Sequence, residues 1–316
     1  MKNICIIGLG KIGLRHLESL INSKKKINFY LNDINILKFN INKFFKNKNN
    51  FIISKNIDFD VKYFDYVIIS TNSDIRKNIL LELLKKYKIN KILLEKIAFC
   101  HPRHYEIASN IINSTNTKCY INYPRNFLSD YRNIKKKINL KKKTKIEIIG
   151  NNWGLASNSF HFVSLFSYLT NAKNILIKNN ELSKPFQSKR RGFFEFTGYI
   201  NFQNEKKDKL ILIDKGHHNN KQNYIKITNN KLEYLIYESQ NKLIIYNTLN
   251  KKILLTKKFK MTPQSKLTKN YLETKNAYKL KDNKFDKNYK NDLILIRFFI
   301  KQFKKFNKNI NYCPIT

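Results

Sequence analysis

Carboxylates are scarce in this chain. Its 316 residues hold 22 Asp and Glu against 62 Lys and Arg, a formal net charge of +40. An excess of that size suggests a nucleic-acid or anionic-membrane partner. Arginine is scarce too, and this argues the other way: 54 of the cations are Lys and only 8 are Arg. A protein that reads nucleic acid uses the planar Arg fork for bidentate and stacking contacts. Lysines are spread along the whole chain instead of forming one patch, and Asn (46) and Ile (44) are equally inflated. That is the pattern of an AT-rich coding bias spread over tolerant surface positions. The charge reads as a solubility feature, and no specific nucleic-acid partner is expected.

The four cysteines, Cys5, Cys100, Cys119 and Cys313, include no CxxC pair. Their spacing fits neither a zinc site nor a disulfide framework, so no metal is expected and a reducing compartment is. No apolar run approaches the ~20 residues that span a bilayer, so no membrane partner is expected. Met1-Lys2-Asn3 leads straight into a short apolar strand, with no room for a signal peptide. The expectation is a cytoplasmic protein. Glycine is rare as well, and three of the 8 glycines fall within six residues of one another.

Residues 1 to about 122 alternate strand and helix signals. Ile4-Cys5-Ile6-Ile7 reads as a strand buried on both faces, followed by Leu14, Leu17, Leu20 and Ile21 at helical spacing. Strands are expected at 27–31, 66–69, 92–94 and 119–121. Helices are expected around Leu37 and Phe44-Phe45, over Ile75 to Leu84 with Ser73 as cap, and over 105–112. Repeated βα units imply an α/β Rossmann domain, a doubly wound parallel sheet. Beyond about residue 140, a helix near 159–169 precedes short strands at 193–202, 209–214, 223–228, 232–237 and 242–247. These imply an α+β domain with an open, mostly antiparallel sheet, closed by a helix from Leu293. The expected boundaries are 1–122 and 123–316. The Lys/Asn tracts at 45–50 and 135–143 read as solvated loops and helix faces.

Gly8-Leu9-Gly10-Lys11-Ile12-Gly13 is a GxGxxG directly after the first strand and opening the first helix. The first glycine permits the tight turn and the second lets a pyrophosphate approach the backbone. The third allows close helix–strand packing, and the helix N-terminus faces the anion. Asp33 follows 20 positions after Gly13, at the end of the second strand, where a carboxylate grips the adenosine ribose hydroxyls. It would repel a 2′-phosphate, so NAD is expected in preference to NADP.

Glu95-Lys96 follows the strand 92–94, and the carboxyl ends of such strands face the ligand crevice. Lys96 is therefore either a site residue or one more surface lysine. His161, Ser164 and Tyr168 form a polar stripe on an otherwise apolar helix. Either a site or a core histidine bonded to a carbonyl would account for it. Arg125 suggests a bidentate role toward a carboxylate or phosphate, or a brace at the domain junction. His217-His218 and Arg190-Arg191 read as solvated.

The set Gly8 to Gly13, Asp65 to Asn72, Leu94-Glu95-Lys96, Tyr123-Pro124-Arg125 and Phe160-His161-Phe162 resembles, in order and spacing, the Gfo/Idh/MocA family of oxidoreductases. The likeness covers essentially the whole chain. Gln264 to Thr268 and Cys313 to Thr316 resemble a branch found with surface-polysaccharide and amino-sugar genes. The resemblance implies hydride transfer between a nicotinamide and a sugar, amino-sugar or nucleotide-sugar carbon. It further implies homo-oligomers formed through the second-domain sheet. Carried over, Lys96 holds and polarises the hydroxyl, while His161 or Lys96 takes the proton. Besides the glycine loop (Gly8, Gly10, Lys11, Ile12, Gly13) and Asp33, the cofactor is expected to meet Thr71, Asn72 and Glu95. The substrate is expected to meet Tyr123, Arg125 and Asn158.

Three departures stand out against that resemblance. Ile97 replaces a Pro after Lys96, the residue type that best tolerates a cis bond. Earlier in the chain, Asn72 replaces the Pro of the turn after the strand 66–69, and Arg76 a His in the helix after that turn. Ser157 and Ser164 stand where carboxylates flank the helical His. These departures leave open a slower enzyme, a Lys96-centred mechanism, or a regulatory dinucleotide-binding protein that has lost turnover.

Overall fold

The computed structural model describes residues 1–23, 26–35, 49–216, 222–273 and 288–316. The expected helix around Leu37 and Phe44-Phe45 and the pair His217-His218 lie outside the described residues. Contacts divide the chain into one unit of residues 1–122 with 262–293, and another of 123–261 with 294–316.

The first unit is built on a six-stranded sheet. Its strands are β1 (Lys2–Ile7), β2 (Ile27–Asn32), β3 (Asn50–Ser54), β4 (Tyr63–Ile69), β5 (Lys88–Leu94) and β6 (Lys118–Ile121), in the order β3-β2-β1-β4-β5-β6. Every pairing is parallel. Ile4 to Ile7 and Val67 to Ile69 are almost wholly buried, as β-branched runs covered on both faces must be. The order reverses between β1 and β4, which makes the crevice beyond their carboxyl ends the place for a ligand.

Helices α1 (Lys11–Ile21), α2 (Arg76–Lys86) and α3 (Pro102–Ser114) cross between these strands. On α2 the inward residues are Arg76, Leu80 and Leu83. Ile75, expected on the apolar face, is instead exposed and occupies the cap position, with no side-chain cap from Ser73. Strand β3, at the edge of the sheet, begins at Asn50, the last residue of the tract that reads as solvated, and none of its residues is fully buried. Residues 264–273 form a further helix of this unit, tied to α1 by the Lys269 amide donating to the Ser19 hydroxyl at 3.0 Å.

The second unit opens with α4 (Ser129–Lys137), β7 (Thr144–Gly150) and α5 (Leu155–Thr170). Its eight-stranded sheet adds β8 (Ile175–Leu182), β11 (Gly198–Asn204), β12 (Lys209–Asp214), β13 (Tyr224–Asn229), β14 (Leu232–Tyr237), β15 (Lys242–Asn247) and β16 (Ile253–Lys258). The two-residue strands β9 (Phe186–Gln187) and β10 (Phe194–Glu195) pair separately. The large sheet runs β16-β15-β14-β13-β7-β12-β11-β8, antiparallel except where β12 meets β7. On β11 to β14 buried and half-buried residues alternate, so one face is apolar core and the other is open.

Twelve of the sixteen α5 residues are buried. Phe160 and Phe196 stack on Phe299 at 6.1 and 6.0 Å between ring centroids. The tail joins this core: Cys313 and Ile315 are buried, and the Pro314 carbonyl accepts the Phe194 amide at 2.8 Å. All four cysteines are buried thiols. Among the described residues no helix is long and apolar enough to cross a membrane, and no cluster of His, Cys, Asp or Glu could hold a metal ion.

Candidate functional site

The loop after β1 is shaped by its glycines. Gly8 lies at φ +86°, and a Cβ there would sit 2.9 Å from the Thr71 nitrogen. A Cβ on Gly13 would sit 1.9 Å from the Gly8 carbonyl oxygen, so glycine is what lets α1 pack onto the loop. Gly10 is different. It is exposed, and a Cβ there would meet nothing within 4 Å. It precedes the N-terminus of α1, which no side chain caps. An anion can therefore approach bare backbone at a helix N-terminus. Lys11 is exposed and Ile12 half-buried beside it.

Asp33, just past β2, accepts the Leu9 amide at 2.7 Å on Oδ2 and the Asn35 amide at 2.8 Å on Oδ1. The carboxylate is thereby fixed at the mouth of the glycine loop. On the other side, the Ser70 hydroxyl donates to the Gly8 carbonyl at 2.6 Å. The neighbouring Thr71 hydroxyl is buried with no hydrogen-bond partner. Buried polar atoms are seldom left so. Asn72 is exposed at the same turn. Open space at Gly10, an orphaned hydroxyl at Thr71 and a carboxylate past β2 are features that would fit a dinucleotide.

Glu95, just past β5, sits in a polar network. Its Oε1 lies 2.8 Å from His16 Nε2 and accepts the Asn122 amide at 2.5 Å. His16 is fully buried, and its Nδ1 lies 2.8 Å from Thr268 Oγ1. Asn122 also donates to Gln264 at 3.2 Å. Burial pushes the Glu95 carboxyl upward, but the hydrogen bond from His16 and its other neighbours outweigh this and hold it below the ordinary range. Glu95 is thus engaged with protein groups and anchors the base of Lys96, which is half-buried. The Lys96–Ile97 peptide is cis, with isoleucine in the second place.

Arg76 is buried against the same loops. One terminal nitrogen donates to the carbonyls of Glu95 (2.6 Å), Ala98 (2.9 Å) and Ile97, and the other to that of Thr71. His16, Gln264, Thr268 and Arg76 were not among the expected site residues. For Arg76 a signal existed, one of few arginines in a lysine-biased chain. For His16 the only hint was its place on the inward face of α1, four residues before Leu20.

In the second unit, the buried Tyr123 ring meets the half-buried His161 ring edge-on at 5.5 Å. Ser164, one turn on, accepts the Asn126 amide at 2.9 Å. Arg125 is committed to protein: its fork grips Glu238 at 3.0 and 2.7 Å, and its guanidinium lies 4.5 Å over the Phe162 ring. Its expected bidentate partner is therefore an internal carboxylate. The Asn158 amide donates to the Trp153 and Gly154 carbonyls at 2.6 and 3.2 Å, locking the turn before α5. At Ser157 the backbone amide donates to Glu195, which caps that helix.

No family model matches the chain, and no curated protein matches it in sequence. Solved structures do match. A dehydrogenase (MviM) from Clostridium difficile is 14% identical, with a TM-score of 0.69, covering 95% of this chain and 99% of its own. A Gfo/Idh/MocA family oxidoreductase from Vibrio cholerae is 12% identical, with a TM-score of 0.69 and coverages of 98% and 100%. The super-repressor mutant of Gal80p from Saccharomyces cerevisiae is 14% identical, with a TM-score of 0.65 and coverages of 97% and 96%. At such identities the likeness is one of fold, and it runs the length of both units: the chain has the fold of the Gfo/Idh/MocA oxidoreductases.

Proposed function

We propose that the chain is an NAD(P)-dependent oxidoreductase acting on a secondary alcohol or ketone of a sugar, amino sugar or nucleotide sugar. NAD is the preferred cofactor in this reading, and the setting is cytoplasmic sugar or polysaccharide metabolism. The observation that carries it is the glycine loop: bare backbone at Gly10 over an uncapped helix, beside an orphaned Thr71 hydroxyl and the fixed Asp33 carboxylate. A nicotinamide would supply the hydride acceptor or donor. Lys96 holds and polarises the reacting hydroxyl. As the C–H bond breaks with its electron pair, the O–H proton passes to His161 or Lys96, assistance worth about 10²–10⁴-fold. Tyr123 orients His161 through their ring contact. The open face of the second sheet is the surface through which copies would pair.

A second reading is supported by two particulars. Ser157 and Ser164 offer hydroxyls where a carboxylate would orient His161, and a repressor shares the fold. On that reading the chain is a regulatory dinucleotide-binding protein without turnover. Titration of nicotinamide fluorescence with NADH and NADPH, at salt high enough to suppress non-specific attraction, tests both. Saturable binding that favours NADH and weakens in Asp33→Ala is expected. A sugar and nucleotide-sugar panel then separates them: turnover lost in Lys96→Ala supports the enzyme, and tight binding with no hydride exchange supports the regulator. Failure to bind either nucleotide would sink both.

A further inference from the structure

Arg76 is the first residue of α2, is 2% exposed, and is one of only 8 arginines among 62 cationic residues. Its terminal nitrogens hydrogen-bond backbone carbonyls alone. The division between them is informative. One nitrogen serves Glu95, Ile97 and Ala98 in the loop after β5, and the other serves Thr71 in the loop after β4. A single planar group thus joins two strand-end loops next to the point where the sheet order reverses. Lys96 lies between two of the tethered carbonyls, so its backbone is pinned on both sides. Thr71, whose carbonyl is the fourth acceptor, carries the orphaned hydroxyl beside the glycine loop.

The arrangement is costly, which argues that it is more than filler. A buried guanidinium without a hydrogen-bonded carboxylate loses its hydration, and burial brings Arg76 down to about 10 despite the nearby Glu95. Its Nε is also left without a partner. A lysine would have to serve four carbonyls in two loops with three donors on one nitrogen, whereas the guanidinium divides them between its two ends. We propose that Arg76 is a positioning residue that ties the β4 and β5 loops together and so sets where Lys96 and Thr71 present themselves to the bound dinucleotide and substrate. This rests on the oxidoreductase reading for its functional meaning, and on geometry alone for its structural content.

The test uses the full chain with Arg76→Ala and Arg76→Lys. Brief acylation with limiting acetic anhydride, read by peptide mass spectrometry, gives the rate at Lys96 relative to Lys88 and Lys91 on β5. Loss of the charge-assisted bonds should free the loop and raise the Lys96 rate about tenfold in both variants. Lys88 and Lys91 should keep their rates. Methylguanidinium at millimolar concentration should restore the wild-type rate in Arg76→Ala, and NADH affinity should fall and recover in parallel.

A Lys96 rate within about twofold of wild type, in either variant, would overturn the proposal. So would an equal rise at all three lysines, full rescue by Arg76→Lys, or no response to methylguanidinium. If Arg76→Ala does not fold, Arg76→Lys decides on its own. Wild-type protein that binds no NADH would remove the oxidoreductase reading, while the acylation rates would still decide whether Arg76 sets the place of Lys96.

Discussion

Two arginines, the buried Arg76 and the half-buried Arg125, sit in opposite kinds of surroundings. Arg125 is satisfied by a carboxylate: Glu238 takes its fork, Tyr131 adds a hydroxyl to the same carboxylate at 2.8 Å, and Phe162 covers the face. Burial works against its charge, but Glu238 more than compensates and raises its pKa. Arg76 holds only carbonyls, and burial lowers it. The Arg125 cluster is closed on itself, whereas one of the Arg76 loops carries the orphaned Thr71 hydroxyl, beside the glycine loop with its open backbone at Gly10. The difference teaches where to look for ligand: a closed network stabilises its unit, and one left with unsatisfied groups beside free space is shaped for something else.

The largest expected effect tests the closed side. Arg125→Met strands Glu238, only 16% exposed, without its partner, and should cost about 3–5 kcal/mol in urea denaturation. NADH affinity should hold, and a loss of binding at unchanged stability would erase the contrast. On the open side, Gly13→Ala must displace the Gly8 carbonyl and should cost about 1–3 kcal/mol along with cofactor binding. Gly10→Ala should leave stability within about 0.5 kcal/mol, since its methyl meets nothing. Binding of NADH by Gly10→Ala should still weaken, by about tenfold, as the backbone can no longer be approached. Equal effects of the two substitutions on stability would mean that Gly10 is only a turn.

The smallest effect is the acid limb. Burial raises the Glu238 carboxyl, but Arg125 and Tyr131 outweigh it and hold it below its usual 4.5. A depressed carboxylate contributes its full stability above the unfolded value. That contribution fades as pH falls from about 4.5 through the lower folded value. Urea midpoints measured across that range should drop for the wild type, and Arg125→Met should lack this part of the drop.

Much of the first unit was legible because its signals are local. Ile4 to Ile7 followed by Gly8, Gly10 and Gly13 is a strand, turn and helix within some twenty residues, and Asp33 closes the motif at the next strand end. The second unit was legible where strands alternate cleanly, as in β12 to β14. It was not at β7, which is central to its sheet, nor at the edge strands β8 and β16. Thr144 to Gly150 follows a lysine tract and carries Lys145 and Glu147, and Glu147 pairs with both Lys145 and Lys226. Strand β16 shows Ile253, Leu254 and Leu255 to solvent, so no period marks it.

By itself, then, the sequence determined the alternation of elements and the glycine loop with its acidic partner, since both depend on neighbours a few residues apart. Only the tertiary structure decided what the buried polar groups do. His16 meets Thr268 across 252 positions and Arg125 meets Glu238 across 113. Residues 262–293 cluster with the first unit although the chain reaches them through the second. The physical reason is desolvation: once buried, each donor and acceptor must find a partner within about 3 Å. Which partner that is depends on what the fold brings there, whatever the distance along the chain.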